Sequence, residues 1–408
     1  MAKNGNSKLR VPYALAVHGD EEKKKVIKVL DEHRTNLGKE TIEFEKNVAK
    51  AFGKNFGVMV NSGSSANFLT IGLLNLLPGS EVITPLLTFS TTIAPLIQHG
   101  LIPVFADVEQ GSYVINVDQV EQLITKKTKA LMIPLLLGNV PDMEKLKKIA
   151  QKYNLLLIED SCDTLGAGFN GKPTGAYSDI STTSFFGSHI ITAGGNGGMI
   201  LVNKKEWRDK AKVLRGWGRS SALFAESENI EERFKTKLGT IPYDAKYFFQ
   251  EIGYNFLPNE MCAAFGNAQL EKLSKFRKIR EYNLKYLINF FKKYEELFIL
   301  PKQDKKVSTQ WLGFPLTIRA NAPFSRFELV KFLEDENIQT RPVFTGNILK
   351  HPGFRNIPHR IISGGCPITN EITERGFVIG CHQGLEEKHL KRLEEVFISF
   401  FNEHKYFA

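Results

Sequence analysis

The chain has 408 residues, of which 42% are hydrophobic and 24% are charged, a balance that is typical of folded globular proteins and excludes extensive disorder. Its net charge is +10, but the lysines are dispersed and form no basic stripe with interleaved aromatics. The charge therefore favours no nucleic-acid partner, although an anionic substrate stays open.

The cellular location is predicted from the cysteines and from the apolar segments. The four cysteines form no CxxC pair, which gives no support for a zinc or iron–sulfur site and is typical of reduced cytosolic thiols. Residues 1–10 are polar and lack the apolar core of a signal peptide. The longest apolar runs, such as 130–137, are far below the roughly 18 residues that a membrane span needs. We expect a cytoplasmic protein without a membrane association and without a bound metal.

Apolar spacing predicts two helices, 26–37 and 40–52, and then alternating strands and helices. The predicted strands are 57–60, 81–84, 103–107, 130–136, 155–159, 180–185 and 198–202. The predicted helices between them are 66–77, 91–99, 118–124 and 143–153. Strands that are apolar throughout and alternate with helices are typical of a parallel sheet covered on both faces.

After about residue 250 the pattern changes. Long helices are predicted at 260–273 and 276–296, followed by a strand at 311–319, a helix at 326–336, a strand at 338–342 and helical segments at 371–376 and 386–404. This order predicts a smaller α+β domain. We place a large domain at 1–255 and a small C-terminal domain at 256–408.

Three segments carry groups that are typical of a binding site. Gly63, Ser64 and Ser65 lie between a strand and a helix, where backbone N–H groups and hydroxyls cradle a phosphate or simply cap the helix. Asp160 follows an apolar strand and could bind a pyridinium N–H or cap the next turn. His189 lies in a glycine-rich loop, which is either an active-site wall or a glycine hairpin with an incidental histidine.

These segments occur in the order of a known family. The motifs are Ser-Gly-Ser-Ser-Ala-Asn at 62–67, Glu-Asp-Ser-Cys-Asp at 159–163, Ser-Phe-Phe-Gly-Ser-His at 184–189 and Gly-Gly-Asn-Gly-Gly at 194–198. Further matches are at 137–139, 215–219, 253–255, 311–315 and 341–347. From about residue 12 to its end, the chain resembles the DegT/StrS family of sugar aminotransferases and dehydratases.

The resemblance implies a fold-type I, aspartate aminotransferase-like enzyme with a seven-stranded, mostly parallel sheet in its large domain. Ordinary members bind pyridoxal 5'-phosphate through a lysine at position 189. His189 instead resembles the family's 3-dehydratase branch, in which the cofactor is free pyridoxamine 5'-phosphate. An imidazole of ordinary pKa about 6.5 suits removal of a proton from the cofactor's C4′ carbon.

The resemblance also assigns roles to other residues. Gly63, Ser64, Ser65 and Ser184 are expected to bind the cofactor phosphate, and Asp160 the pyridine nitrogen. Phe89 is expected to stack on the cofactor ring, and Asp163 to tune or orient the site.

Three residues are expected to contact a partner or a substrate. Asn255 resembles a residue that reaches the phosphate of the neighbouring subunit, which implies a homodimer with shared active sites; alternatively, it is a turn residue. Arg219 and Arg341 are candidates for binding an anionic substrate or the carboxylate of L-glutamate; alternatively, both form structural ion pairs.

Two departures from the family pattern matter. The CDP-sugar type of 3-dehydratase has iron–sulfur cysteines just after the segment 217–219, whereas 220–227 contains no cysteine. We expect no iron–sulfur cluster, although 237–247 and the C-terminal domain resemble the CDP-sugar type. The second departure is Asn196, where many relatives have glutamate; its effect has no explanation.

The expected activity is therefore removal of the C3 hydroxyl from a nucleotide-linked 4-keto-6-deoxyhexose, with L-glutamate regenerating pyridoxamine phosphate, in dideoxysugar or surface polysaccharide synthesis. The alternatives are a nucleotide-sugar aminotransferase and a non-catalytic relative that binds a nucleotide sugar.

Overall fold

The computed structural model describes residues 8–224 and 228–403. Its helices in these ranges are α1 Asp20–Asp31, α2 Lys39–Ala51, α3 Gly63–Leu74, α4 Ser90–Gln98, α5 Val120–Leu123, α6 Met143–Lys152, α7 Lys205–Arg215, α8 Ile230–Arg233, α9 Glu260–Glu271, α10 Leu273–Phe291, α11 Arg326–Asp335, α12 Pro367–Arg375 and α13 Glu387–Glu403. The strands are β1 Phe56–Val60, β2 Glu81–Pro85, β3 Ile102–Ala106, β4 Thr128–Pro134, β5 Leu156–Asp160, β6 Gly168–Phe169, β7 Lys172–Pro173, β8 Ile180–Ser184, β9 Gly198–Val202, β10 Lys237–Leu238, β11 Ile241–Pro242, β12 Phe298–Ile299, β13 Val307–Ser308, β14 Gly313–Ile318, β15 Thr340–Pro342, β16 Arg360–Ile361 and β17 Gly376–Gly380.

Eight strands form one large sheet in the spatial order β1-β9-β8-β5-β4-β2-β3-β16. β9 runs antiparallel to β1 and to β8, and all neighbouring pairs from β8 to β16 are parallel. The predicted α/β fold with a mostly parallel sheet is confirmed. The prediction of seven strands missed β16, because two residues are too few to show a periodic pattern.

The large sheet is buried on both faces, as its apolar strands predict. Successive residues of a strand point to opposite faces, and β4 shows the result. Leu131 and Ile133 pack into a core that includes α6, whereas Ala130 and Met132 pack on the other face with residues of α3 and α4. The two apolar layers hold the carboxyl ends of the parallel strands at one edge of the sheet.

A second, antiparallel sheet in the order β12-β14-β17-β15 forms the C-terminal part of the fold. It shares an apolar core with α10, α11 and α13. Aromatic rings fill this core, and Phe291 lies 5.4 Å from Phe314 and 4.9 Å from Phe397 between ring centroids. Such offset and edge-on pairs are favourable arrangements of buried aromatic rings.

Segments on both sides of the predicted boundary at residues 255 and 256 pair across it. Val11 forms a parallel bridge with Ile338 in the C-terminal part, and β16 joins the large sheet beside β3. The chain therefore crosses between the two sheets more than once. The division into 1–255 and 256–408 stays a prediction.

The first helix begins earlier than its predicted start at residue 26. The backbone N–H of Gly19 donates to Glu22, and the buried Glu22 side chain also accepts from Gln269 and Lys272 on and beside α9. Glu22, which belongs to a charged stretch, thus lies on the buried side of the helix, and apolar spacing does not reveal this. Among the described residues, none of the helices is both long enough and apolar enough to span a bilayer.

Candidate functional site

A cavity of about 410 Å³ opens at the carboxyl ends of β4, β5 and β8 and beside the start of α3. Ligands bind at this edge of open α/β sheets. The predicted site residues that line the cavity are Gly63, Ser64, Phe89, Asp160, Asp163, Ser184 and His189. No lysine is among the described residues that line it.

The start of α3 forms one wall of the cavity. Ser62 caps the helix by accepting from the backbone N–H of Ser65 at 3.1 Å, and Ser64 donates its hydroxyl to Thr91 at 3.0 Å. A Cβ atom on Gly63 would lie 2.6 Å from Cβ of Ser184, so only glycine fits there. The free N–H groups of a helix start and the hydroxyls of Ser64 and Ser184 can bind a phosphate.

Asp160 ends β5 and is 6% exposed. One of its oxygens, Oδ2, accepts from Nδ2 of Asn67 and from Oγ1 of Thr92, both at 2.8 Å. Asn67 in turn accepts from Oγ1 of Thr182 at 2.6 Å. These contacts fix the carboxylate in one orientation, in which it can receive an N–H from a planar ring in the cavity.

His189 faces Asp163 across the opposite wall. Nε2 of the imidazole lies 3.9 Å from Oδ1 of Asp163, and the side chains are 16% and 7% exposed. Nδ1 of His189 is buried and makes no hydrogen bond within the described residues. The imidazole ring is therefore held in the cavity wall without a direct hydrogen bond to a carboxylate, which leaves it able to accept a proton.

Burial moves the pKa values of this pair in opposite directions. Burial lowers the pKa of His189 to about 4, against the opposing effects of the Ser184 backbone and Asp160. Burial raises the pKa of Asp163 to about 7, although the backbone N–H of Leu137 opposes the shift. Above about pH 4 the imidazole is neutral, which is the state that a general base requires.

Apolar and aromatic side chains complete the cavity. Phe89 is 50% exposed at the start of α4, and its ring centroid lies 6.1 Å from that of Phe344 in an edge-on arrangement. Phe186 and Leu312 also line the cavity. Flat apolar surfaces beside a fixed carboxylate suit a planar aromatic ligand.

Four predicted residues are not among those that line the cavity. Ser65 uses its N–H for the cap and its hydroxyl for Asn61, at 2.6 Å. Arg219 lies over the Trp217 ring, at 4.4 Å from its centroid. Exposed Asn255 bridges Gly216, and Arg341 donates to the carbonyl of Thr340 at 2.6 Å.

Sequence reasoning missed Asn67, Thr92 and Tyr13, which also line the cavity. Asn67 lies four residues after Gly63, so both occupy one side of α3, and this spacing was the available signal. Tyr13 comes from the segment before α1, and local pattern gives no sign of its contact with the site. Asn196, whose role had no explanation, lines the cavity and accepts from the N–H of Gly197 at 3.1 Å.

The described residues contain no group of three or more histidine, cysteine, aspartate or glutamate side chains placed to hold a metal ion.

The sequence model of the DegT/DnrJ/EryC1/StrS aminotransferase family matches residues 17–397 of the chain. The chain belongs to this family. The predicted family and the predicted aminotransferase-type fold are thereby confirmed.

Two relatives and one solved structure are similar to this chain over most of its length. It is 38% identical over 369 residues to the lipopolysaccharide biosynthesis protein RfbH of Salmonella typhimurium, covering 88% of this chain and 84% of that protein. It is 36% identical over 398 residues to the dTDP-4-dehydro-2,6-dideoxy-D-glucose 3-dehydratase of Saccharopolyspora spinosa, covering 94% and 85%. The structure of E. coli GDP-4-keto-6-deoxy-D-mannose-3-dehydratase with bound hydrated PLP is similar with a TM-score of 0.86 and 30% identity, covering 95% of this chain and 100% of that chain.

We predict that Asp163→Asn changes the pH dependence of stability of this family member. Between about pH 4 and pH 7 the folded protein keeps a proton on Asp163 that the unfolded chain has lost, so this group's contribution to stability falls as pH rises. Asp163→Asn has no ionisable group at this position, so it lacks this pH-dependent loss of stability. Its melting temperature minus that of the unaltered protein should therefore increase with pH, at up to about 1.4 kcal/mol of unfolding free energy per pH unit.

The measurement is a series of melting curves from pH 4 to pH 8 on protein freed of small molecules. Asp179→Asn is a matched control, because Asp179 also accepts from a backbone N–H, that of Leu157, at 2.8 Å. For Asp179→Asn, the difference in melting temperature from the unaltered protein should not increase with pH. Parallel curves for Asp163→Asn and the unaltered protein would contradict the raised pKa.

Proposed function

We propose that this chain is a pyridoxamine 5'-phosphate-dependent 3-dehydratase that removes the C3 hydroxyl of a nucleotide-linked 4-keto-6-deoxyhexose. The observation that carries the proposal is His189, which faces the cavity at the position where an aminotransferase of the family needs lysine. The described lining residues supply no replacement lysine. An imidazole is not able to form the covalent link to the aldehyde cofactor that a lysine forms.

The residues of the cavity fit this cofactor. The start of α3, with Gly63, Ser64 and Ser184, would hold the phosphate. Asp160, fixed by two side-chain donors, would pair with the pyridine nitrogen and keep it protonated. Phe89, half exposed at the cavity, would lie against the ring.

When bound, the cofactor supplies an amine that condenses with the C4 ketone and a ring that accepts an electron pair. The protein's own part is to orient and to move a proton. His189, neutral at working pH because burial lowers its pKa to about 4, would accept the proton from carbon C4′. Phe186 and Leu312 would limit the access of water to this carbon.

The names of two relatives support the reaction and its setting. The Saccharopolyspora relative is a 3-dehydratase of a dTDP-sugar, and the Salmonella relative is a lipopolysaccharide biosynthesis protein. We therefore propose synthesis of a deoxygenated sugar for a surface polysaccharide. Because 220–227 contains no cysteine, we propose that L-glutamate, and not an iron–sulfur reductase, restores the amine form of the cofactor.

A second candidate function is transamination of the same kind of sugar, because the family is described as an aminotransferase family. The phosphate cradle and Asp160 would serve both reactions equally. The two functions differ in the product: dehydration removes the C3 hydroxyl, whereas transamination leaves that hydroxyl and places an amine at C4.

We further propose that the enzyme is a cytoplasmic homodimer with shared active sites. Asn255 and Arg219 lie outside the cavity of their own chain. Large apolar side chains are exposed around them, including Ile252 at 91%, Tyr247 at 62% and Phe249 at 55%. Exposed apolar side chains of this kind favour a protein partner, and a second copy would bring Asn255 to the cofactor phosphate of its neighbour.

The first prediction of the proposed function is the identity of the product. Purified protein with pyridoxamine phosphate, L-glutamate and a panel of CDP-, GDP-, UDP- and dTDP-linked 4-keto-6-deoxyhexoses should release 2-oxoglutarate and a 3-deoxy sugar. Mass spectrometry of the sugar separates this product from a 4-amino sugar. An amino sugar as the main product would support the second candidate function and refute dehydration.

The second prediction concerns the covalent state of the cofactor. His189→Lys should bind pyridoxal phosphate as an imine, because the ε-amine then faces the aldehyde. Borohydride reduction followed by mass spectrometry should show the adduct at position 189. His189→Gln, the control, and the unaltered protein should show no adduct; a cofactor adduct of the unaltered protein at any lysine would contradict the proposal.

The third prediction is the oligomeric state. Sedimentation equilibrium should give twice the chain mass of 46.0 kDa. Ile252→Asp should weaken the dimer, since burying a carboxylate in an apolar interface is costly. Ile42→Asp is a control, because Ile42 is 67% exposed on α2. A monomer for the unaltered protein would exclude shared sites.

A further inference from the structure

The carboxyl group of Asp163 has two oxygens in different environments. Oδ2 accepts a hydrogen bond from the backbone N–H of Leu137 at 3.0 Å. Oδ1 faces Nε2 of His189 at 3.9 Å, which is about 1 Å longer than a charge-assisted hydrogen bond. One oxygen thus fixes the carboxyl group, and the other is directed at the imidazole.

The donor at Leu137 belongs to a turn that the rest of the fold holds in place. Leu137 and Gly138 have φ values of +58° and +87°, and a Cβ atom on Gly138 would lie 2.8 Å from the carbonyl oxygen of Gln310. The N–H of Leu312 donates to the carbonyl of Leu137 at 2.8 Å, and Thr309 donates to that of Gly138. A strained, tightly bonded turn therefore sets the position of the Asp163 carboxyl group.

Other ionisable groups near His189 do not replace Asp163. Arg280 is 1% exposed, makes its hydrogen bonds to Gln383 and to backbone carbonyls, and opposes protonation of His189. Burial raises the pKa of the Tyr13 hydroxyl to about 12 and that of the Cys162 thiol well above its usual range, so both are neutral. The carboxylate of Asp160 also favours protonation of His189, but its Oδ2 atom accepts from Asn67 and Thr92, so that oxygen is already hydrogen-bonded.

We propose that Asp163 is the positioning residue that stabilises the protonated form of His189. The inference rests on the proposed function, in which Nε2 gains a proton from carbon C4′. The new N–H points at Oδ1, and closing the gap forms an ion pair with the ionised carboxyl group. The C4′–H bond would break and an N–H bond would form on Nε2, the electron pair of the C–H bond would pass into the cofactor ring, and Asp163 would keep its charge.

The arrangement has a direct consequence for pH dependence. Protonation of His189 is unfavourable at rest because the imidazole is buried beside the Arg280 cation. An ionised Asp163 offsets that cost, whereas a protonated one does not. Burial raises the pKa of Asp163 to about 7, so the reaction should become faster as pH rises through about 7.

The first test observes His189 without any reaction. The protein is labelled with ¹³C at the histidine Cε1 positions, and His189→Asn identifies the His189 signal among the nine histidines of the chain. In the unaltered holoenzyme the His189 signal should shift with an inflection near pH 7, as the facing carboxyl group ionises. Asp163→Asn should abolish this inflection, and Asp179→Asn should retain it.

The second test is the pH profile of turnover with the best substrate of the panel. For the unaltered enzyme kcat should rise about tenfold between pH 6 and pH 8, as expected for one group of pKa about 7. Asp163→Asn should have a flat profile in this range and a kcat roughly 10- to 100-fold lower at pH 8, with little change in KM. Asp163→Glu should restore a rising limb, which a purely structural role of Asp163 would not require.

The outcomes separate this inference from the proposed function. If the His189 signal of the unaltered enzyme lacks the inflection, or keeps it in Asp163→Asn, the inference is wrong whatever product is formed. If the inflection depends on Asp163 but the product is an amino sugar, the inference stands and dehydration fails. Should Asp163→Asn not fold, the signal of the unaltered enzyme and the profile of Asp163→Glu still decide.

Discussion

The arrangement of the site depends on the hydrogen bonds that hold the buried carboxylate of Asp160. It ends β5, and its Oδ2 atom receives hydrogen bonds from α3, through Asn67, and from α4, through Thr92. Asn67 is itself held by Thr182 of β8. Burying a carboxylate costs several kcal/mol unless such donors replace water. Four elements of the large sheet and its helices therefore have to meet in one arrangement, and that arrangement also places the start of α3 and the His189 loop around the cavity.

Burial also shifts the pKa values of His189 and Asp163 away from their ordinary values. A histidine in water is half protonated near pH 6.5, whereas burial lowers the pKa of His189 to about 4. Burial shifts the pKa of Asp163 in the opposite direction and raises it to about 7. The pair thus provides a neutral imidazole next to a carboxyl group that ionises near neutrality. In the proposed reaction, these two side chains would act as a base and its counter-charge because the fold excludes water from both.

Much of this site could be predicted from the sequence because its parts lie at the ends of strongly patterned elements. Apolar strands 155–159 and 180–185 placed Asp160 and Ser184 at one edge of the sheet, and the glycine-rich loop placed His189 beside them. The contacts of Tyr13 could not be predicted, since the segment before α1 reaches the cavity only through tertiary packing. Asn255, Arg219 and Arg341 were taken from family motifs, and a single chain does not bring them to the cavity. The pairing of β16 with β3 spans more than 250 residues and leaves no local pattern.

That short strand constrains how the protein can be divided or moved. β16 covers the edge of β3, and Arg360 donates twice to the buried carboxylate of Glu81, at 2.8 and 2.9 Å. A chain cut near residue 255 would leave this carboxylate without its cation and β3 with an open row of backbone donors and acceptors, which invites aggregation. The strand also anchors the C-terminal part to the rigid sheet. Any movement of the C-terminal part relative to the large sheet is then limited to what the loops on either side of residues 360 and 361 can absorb.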